Sequence, residues 1–163
     1  YNDRLTGKYD GTIFQGFAEA GYRLDLGGGH VQPFANLALI RARIDGFAEK
    51  GGNAALSMHK LKDDATLSTA GLRFGAQSAV VRVSGSIGWQ HSFGDVDPTA
   101  RFAFSGGDDF TVRGVARSRN AALVTAGLGF SIASNVEMTA DYDGVLGDNG
   151  EDHALKVGAL IRF

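Results

Sequence analysis

Residues 155–163 read LKVGALIRF, and this stretch decides the fold class because its side chains alternate in character. The odd positions carry Leu, Val, Ala, Ile and Phe, whereas the even positions carry Lys, Gly, Leu and Arg. A period of two is that of a β-strand, whose successive side chains point to opposite faces. The stretch is therefore predicted to be a strand with one apolar face.

The same alternation recurs along the rest of the chain. Six further runs show it, at residues 14–24, 30–46, 64–76, 81–90, 122–132 and 136–144. The sequence therefore predicts seven strands of roughly 11 to 17 residues each. Strands of soluble proteins are typically about 5–6 residues long, whereas a strand tilted across a bilayer needs about 9–11. The predicted strands are thus long enough to cross a membrane.

Length, charge and composition exclude several classes of protein. A chain of 163 residues is one domain by default. The 16 Lys and Arg against 18 Asp and Glu give a net charge of -2, which argues against a nucleic-acid partner. The absence of cysteine excludes disulfides, thiol catalysis and cysteine zinc sites. The sequence contains no apolar run of about 18 residues, so no membrane-spanning helix is predicted. The start lacks a signal peptide and is expected to lie inside a longer precursor.

The predicted connections between strands differ in length. Residues 27–29, 77–79 and 133–135 form short turns, and longer links lie at about 47–63, 94–118 and 147–151. Short turns on one side and long loops on the other are typical of an outer-membrane barrel, whose short turns are periplasmic. The fold class predicted is therefore all-β, an antiparallel up-and-down transmembrane β-barrel or the C-terminal portion of a twelve-stranded one, with about seven to eight long strands.

Aromatic residues of the predicted apolar faces fall into two belts, as they do at the two interfaces of a membrane barrel. One belt lies at the short-turn ends of the strands and the other toward the long loops. The belt residues are Phe14, Tyr22, Phe34, Phe74, Trp89, Phe93, Phe130, Tyr142 and Phe163. The alternative, that these aromatics form the core of a soluble sandwich, does not explain two belts.

The opposite face is polar and mixed in sign, so its charges can pair across a lumen. Alternation assigns the following residues to the lumen: Glu19, Arg23, Arg41, Arg43, Arg73, Arg82, Glu137, Asp141, Asp143, Lys156 and Arg162, with Asp25 and Asp45 beside them. Glycines on this face leave room for large side chains or for a threaded segment. Such a lumen is predicted to be hydrated or plugged.

These residues resemble the C-terminal part of an autotransporter translocator domain, the β-barrel of type V secretion. The resembling stretches are residues 16–23 (GFAEAGYR), 33–38 (PFANLA), 45–47 (DGF), 68–73 (STAGLR), 88–91 (GWQH), 104–107 (FSGG), 110–112 (FTV), 121–128 (AALVTAGL), 142–144 (YDG), 152–156 (DHALK) and 162–163 (RF). Each is weak alone, but their order and spacing over roughly 150 residues make the resemblance specific.

The resemblance implies a domain that anchors an N-terminal passenger in the outer membrane of a Gram-negative bacterium and helps to export it. The family's barrel has twelve strands and a helix in its lumen, so seven strands account for only its later part. The implied partners are outer-membrane lipid, the outer-membrane assembly machinery and a covalently linked passenger. The domain is expected not to be an enzyme and to need no cofactor.

The end of the chain also resembles the C-terminal signal that the assembly machinery reads. Its residues are Leu155, Val157, Ala159, Ile161 and Phe163. Strand addition explains how it would work, because an extended edge offers backbone hydrogen bonds and its alternate side chains fill pockets. The alternative is an ordinary last strand that ends in Phe.

Two other functions stay open from the sequence. A self-contained eight-stranded outer-membrane protein would place an extra strand within 94–118, where several aromatic residues occur, and would bind or adhere through its long loops. Side chains would fill the lumen of so small a barrel. A soluble all-β enzyme or binding domain is the third class and predicts a compact apolar core.

Candidate catalytic and metal-binding residues are few. Glu137, Asp141 and Asp143 share a face, and paired carboxylates can catalyse glycoside hydrolysis, but cationic side chains on neighbouring strands are the expected partners. The four histidines lack metal-ligand spacing, and residues 141–144 and 148–152 match calcium loops only incompletely. The sequence therefore predicts no catalytic, cofactor-binding or metal-binding residues.

Overall fold

The computed structural model describes residues 4–52 and 54–162, which form twelve β-strands. Seven strands are long: β1 (Gly11–Gly21), β3 (Gly29–Ile44), β6 (Leu61–Gln77), β7 (Val81–Phe93), β10 (Asn120–Ala133), β11 (Val136–Gly147) and β12 (Gly150–Ile161). Their lengths run from 11 to 17 residues. The predicted all-β class and the number of long strands are confirmed.

The long strands form one sheet in the order β1-β3-β6-β7-β10-β11-β12. The short strand β2 (Leu24–Asp25) pairs with β3. Long strands that follow one another in the chain are therefore neighbours in the sheet, which is the up-and-down arrangement that was predicted. Over residues 4–52 and 54–162, β1 and β12 are the two edges of this order. The described part of the chain holds no helix long and apolar enough to cross a membrane.

The register of the last four long strands aligns side chains of similar character in rows across the sheet. One row across β7, β10, β11 and β12 holds Val83, Leu128, Ala140 and Val157. The adjacent row on the opposite face holds Arg82, Gly129, Thr139 and Gly158. Because alternate residues of a strand point to opposite faces, the register aligns the alternation of all four strands.

A second sheet is built from short strands that lie between the long ones in sequence. It contains β4 (Phe47–Ala48), β5 (Leu56–Met58), β8 (Thr99–Phe104) and β9 (Asp109–Arg113), in the order β4-β5-β8-β9. The extra strand that the eight-stranded alternative requires within 94–118 therefore does not join the long-strand sheet. Instead β8 and β9 form a hairpin whose Phe102 and Phe110 rings stack 5.9 Å apart.

The chain divides into two compact units. The first contains the described residues up to Gly16, together with Ala38–Thr66 and Phe93–Arg117, and it includes the whole of the second sheet. The second contains Phe17–Leu37, Leu67–Ser92 and the described residues from Ser118 onward, and it includes β10, β11 and β12.

The third predicted long link, at 147–151, is wrong. Strand β11 ends at Gly147 and β12 begins at Gly150, which pair with each other, so only residues 148–149 connect the two strands. Two residues are the commonest hairpin loop. The Asp148 carboxylate accepts hydrogen bonds from the backbone N–H groups of Arg119 (2.9 Å) and Asn120 (3.2 Å) and so fixes this turn.

The distribution of apolar side chains is the reverse of that in a water-soluble domain. Among the described residues the buried hydrophobic positions are Ala55, Val96 and Ala121, and no large side chain is fully buried. By contrast, Leu155 is 73% exposed and Val157 is 70% exposed. Contiguous apolar surface of this kind marks contact with a partner or a membrane.

Candidate functional site: the two faces of the long strands

The face that carries Glu19 and Arg73 is called the polar face below, and the opposite one the apolar face. Arg73 on β6 donates from both terminal nitrogens to the two carboxylate oxygens of Glu19 on β1, at 2.6 and 2.8 Å. A bidentate guanidinium–carboxylate pair fixes the orientation of both side chains as well as their distance. Two residues that the sequence assigned to the lumen are thus brought together from strands that are not neighbours.

Two further predicted lumen residues, Arg82 and Arg162, lie around Glu137, whose side chain is 17% exposed. Arg82 donates to it from β7 at 2.9 Å, and Arg162 lies 3.7 Å from its other oxygen. The Lys156 ammonium lies 3.2 Å from the Asp143 carboxylate, one strand away. The charges on this face therefore neutralise one another locally, as the mixed signs in the sequence predicted.

Glycines make room on the polar face for these side chains. A Cβ at Gly127 would lie 2.6 Å from the Ser84 hydroxyl and 2.9 Å from an Asp141 carboxylate oxygen. A Cβ at Gly158 would lie 3.0 Å from the Thr139 hydroxyl. Small residues at these positions therefore let polar groups of neighbouring strands occupy the surface of the sheet.

The prediction that Phe34 and Arg73 lie on opposite faces of the sheet is wrong. The Arg73 guanidinium lies over the Phe34 ring, 3.8 Å from its centroid, so both side chains are on the polar face. A planar guanidinium is attracted by the negative face of an aromatic ring. Residues 34–40 are apolar at six of seven positions, so alternation alone could not assign Phe34 to a face.

The prediction that placed Arg41 and Arg43 on the same face as Glu19 and Arg73 is also wrong. The backbone N–H of Asp45 donates to the carbonyl oxygen of Asp10 at 2.9 Å, which sets the antiparallel register of β3 against β1. In this register Arg41 lies opposite Phe14 and Arg43 opposite Thr12. Together these four residues line one open hollow. Since the positions of Phe14 and Glu19 differ by an odd number, the two side chains point to opposite faces of β1.

By alternation, the remaining belt aromatics within the described residues fall on the face opposite the polar-face residues that are near them in sequence. They are Phe14, Tyr22, Phe74, Trp89, Phe93, Phe130 and Tyr142. The Phe74 ring covers the apolar-face Gly85, and the Tyr142 hydroxyl lies 2.8 Å from Nδ1 of His153. Phe163 lies outside the described residues. The other residues of the expected assembly signal, Leu155, Val157, Ala159 and Ile161, are exposed on the edge strand β12.

Charged residues near the connections form local pairs. Arg23 donates to Asp25 at 2.9 Å beside the first turn, and Lys60 lies 3.2 Å from Asp45. In the long loop after β7, Arg117 donates to both carboxylate oxygens of Asp63, each at 2.8 Å. The hydrogen bonds to Asp63 raise the pKa of Arg117 above its usual value, against the effect of partial burial. Sequence reasoning did not find this pair, because nothing local links two residues 54 positions apart.

The candidate catalytic and metal-binding residues are engaged otherwise. Glu137 binds two arginines, Asp143 binds Lys156, and the Asp141 carboxylate lies beside Gly127. His91 shares a hydrogen bond of 2.7 Å with the Asn120 side chain. Over residues 4–52 and 54–162, no three His, Cys, Asp or Glu side chains are grouped so that they could hold a metal ion.

Long antiparallel strands in up-and-down order, apolar on one exposed face and ion-paired on the other, define an outer-membrane β-domain. The family model described as "Autotransporter beta-domain" matches residues 1–143, and the chain belongs to this family. The domain is therefore located in the outer membrane of a Gram-negative bacterium.

Two curated relatives align along nearly the whole chain. Both are named "Extracellular serine protease" and come from Serratia marcescens. One is 36% identical over 166 residues and the other 35% identical over 167 residues. Each alignment covers 99% of this chain but 16% of the relative, so the chain spans about a sixth of their length.

Proposed function

We propose that this domain helps to carry an N-terminal passenger across the outer membrane, with the polar face lining the passage and the apolar face in contact with lipid. The observation that carries the proposal is the contrast between the two faces. The polar face holds the Glu19–Arg73 and Arg82–Glu137 ion pairs, and the apolar face exposes residues such as Ile87 and Leu155. A polypeptide in transit carries unsatisfied backbone groups, which a polar, hydrated wall accommodates and hydrocarbon does not.

The edges of the long-strand sheet support a larger barrel. An open strand edge in lipid would leave its N–H and C=O groups without partners, at a cost of several kcal/mol for each group. We propose that β1 and β12 pair with further strands of the same protein, as in the twelve-stranded barrel that the family resemblance implies. The eight-stranded alternative has less support, since β8 pairs with β5 on one side and β9 on the other in the second sheet.

The domain itself is proposed not to be catalytic. Its clustered carboxylates are held in ion pairs with Arg and Lys side chains of neighbouring strands. The named activity of the relatives belongs to proteins about six times longer than the aligned segment. A serine protease is therefore the candidate passenger for the full-length protein.

The assembly machinery is proposed to recognise the C-terminal strand. Leu155, Val157 and Ile161 are exposed on the edge strand β12, where backbone groups are available for strand addition. Deleting Phe163 from the full-length protein should lower the amount that resists extraction from the outer membrane. Unchanged insertion after this deletion, and after a further Ile161→Ser substitution, would exclude the proposed signal.

Cysteine cross-linking tests the passage directly, because this chain contains no cysteine. A full-length protein whose passenger is stalled in transit would carry one cysteine in the stalled segment and one in the domain. Neighbouring positions of β7 provide matched variants, with Ser84→Cys on the polar face and Val83→Cys on the apolar face. Gly127→Cys and Leu128→Cys form a second pair on β10.

Disulfide formation is expected from Ser84→Cys or Gly127→Cys to the passenger and not from Val83→Cys or Leu128→Cys. Equal cross-linking from both faces, or cross-linking from the apolar face alone, would exclude the proposed passage. The amount of inserted protein, measured by its heat-dependent migration in a gel, controls for variants that fail to assemble.

A further inference from the structure

Two arginines at the long-loop end of β3 occupy the apolar face. The hydrogen bond from the Asp45 N–H to the Asp10 carbonyl places Arg41 opposite Phe14 on β1 and Arg43 opposite Thr12. Leu39 lies two residues before Arg41, on the same face of β3, and it is exposed. Along this face of β3 the side chains therefore change from apolar to cationic toward the long loop.

Among the described residues, these two arginines differ from three other arginines in making no ion pair. Arg73, Arg82 and Arg117 each pair with a carboxylate. Within the part of the chain that the structure describes, no ion pair includes Arg41 or Arg43, and both side chains are exposed. The two guanidinium groups instead border an open hollow of about 340 Å³ that Thr12 and Phe14 also line.

The charges near this hollow sum to a positive value. The neighbouring strand β6 carries Lys62 and Asp64 at its own loop end, on the face opposite Asp63. Arg41, Arg43, Lys60 and Lys62 together carry four positive charges, against three negative charges on Asp10, Asp45 and Asp64, and the Lys60 ammonium lies 3.2 Å from the Asp45 carboxylate. The surface therefore favours an anionic occupant.

A guanidinium on the lipid-facing side of a barrel is tolerated only near the membrane interface, where the penalty for burying its charge becomes small. Phe14, opposite Arg41, belongs to the belt of aromatics at the long-loop ends, which is where an interface is expected. The long side chain of Arg also lets its charged group extend into the headgroup region while its methylene groups remain beside apolar surface.

We propose that Arg41 and Arg43 bind the phosphate groups of a phosphorylated lipid headgroup in the outer leaflet, with Phe14 and Leu39 in contact with its acyl chains. Arginine recognises phosphate through paired N–H donors, which two neighbouring guanidinium groups supply. The proposal rests on the membrane orientation in the proposed function, but it needs no passenger transport. The outcome of the cysteine cross-linking experiment therefore does not decide the outcome of the lipid-binding experiment.

The test uses the full-length protein reconstituted in phosphatidylcholine vesicles that contain a minority of diphosphorylated lipid A. The measured quantity is the amount of lipid A that stays with the protein after re-extraction in mild detergent, titrated against the lipid A content of the vesicle. The variant is Arg41→Gln/Arg43→Gln. The control, Arg101→Gln/Arg113→Gln, removes the same charge from exposed residues of β8 and β9.

The double variant is expected to weaken lipid A retention by about tenfold or more, since each cation near an anionic surface contributes roughly a factor of five to the affinity. The Arg101/Arg113 control should retain lipid A like the wild type. Arg41→Lys/Arg43→Lys keeps both charges and should restore part of the binding, which separates headgroup binding from misfolding. Equal retention by the wild type and the Gln double variant would overturn the proposal.

Two further arms identify the source of the phosphate. Lipid A from which the phosphates have been removed should show weak retention, equal in the wild type and the Gln double variant. Inorganic phosphate added in excess should displace little lipid A, because it lacks the acyl contacts with Phe14 and Leu39. Full displacement by inorganic phosphate would show that the arginines bind a free anion and would overturn the lipid assignment.

Discussion

The ring of Phe34 occupies the space that a side chain at position 71 would need. A Cβ built on Gly71 would lie 3.0 Å from Cε1 of Phe34 and 2.7 Å from the Cα of Gly88, and it would also collide with the carbonyl oxygen of Ile87. Gly71 therefore allows the phenyl ring to lie flat on the sheet, where the Arg73 guanidinium covers it.

Substitution of Gly71 tests this packing. Gly71→Ala should destabilise the full-length protein by about 1–3 kcal/mol, because two of the opposing groups are backbone atoms that cannot rotate away. Gly129→Ala is the matched control on the same face, since its Cβ would meet atoms only at 3.6 Å or beyond. The midpoint of thermal unfolding in detergent, followed by gel migration, measures both. Equal midpoints for the two variants would show that the contact with Phe34 is not restrictive.

Exchanging the charges of Glu19 and Arg73 tests their ion pair. Glu19→Arg or Arg73→Glu alone places like charges at a distance now spanned by hydrogen bonds of 2.6 and 2.8 Å, and each should lower the unfolding midpoint. The double exchange should recover part of the loss, because opposite charges face each other again. A double-mutant cycle gives the coupling directly, and additive losses would mean that the two side chains do not interact in the membrane.

Strand number and strand length could be predicted from the sequence because alternation is a local property. Residues 155–163, 136–144 and 122–132 alternate almost throughout, with Leu160 and Leu123 as exceptions, and each lies mostly within a strand of the structure. The pairs Arg82–Glu137 and Asp143–Lys156 join residues that alternation had assigned to one face of these strands. The two-residue connection at 148–149 was missed because the alternation continues through Leu146, close to the turn.

The faces of β3 could not be predicted, for a physical reason. Ala38 and Ile40 on one side and Leu37 and Leu39 on the other are all apolar, so hydrophobicity does not distinguish the two faces of this strand. Only its register with β1 decides which residues accompany Glu19. The small sheet was missed because its strands have two to six residues, and its pairing of β5 with β8 joins distant segments.

Arg117 holds the long loop after β7 through Asp63 and through the carbonyl oxygen of Asp95, which accepts a hydrogen bond of 3.3 Å. Arg117→Leu removes these bonds and leaves the partly buried carboxylate of Asp63 without its cation. We expect a local loss of about 1 kcal/mol. Cleavage of residues 94–119 by an added non-specific protease should accelerate accordingly. An arginine stays charged at any pH at which the assay is run, and the hydrogen bonds to Asp63 raise the pKa of Arg117 further.

The control for this loop is Arg113→Leu, since Arg113 makes no ion pair with the described residues and its loss should change cleavage little. Arg117→Lys keeps the positive charge but loses the bidentate geometry, because an ammonium group cannot reproduce two parallel hydrogen bonds to one carboxylate. Cleavage of the Lys variant should be intermediate. If Arg117→Leu were cleaved no faster than Arg113→Leu, the pair with Asp63 would not determine the order of the loop.

Ile87 provides the sharpest test of which face meets lipid, because its side chain is 56% exposed in the middle of β7. For a protein in water, Ile87→Arg on such an exposed side chain would change stability little. For a membrane strand, an arginine on the lipid side near the midplane should cost about 2–4 kcal/mol. Ser84→Arg, on the polar face of the same strand, should cost about 1 kcal/mol or less. Unfolding of the full-length variants in lipid vesicles by denaturant measures both free energies, and a larger loss for Ser84→Arg would reverse the assignment of the two faces.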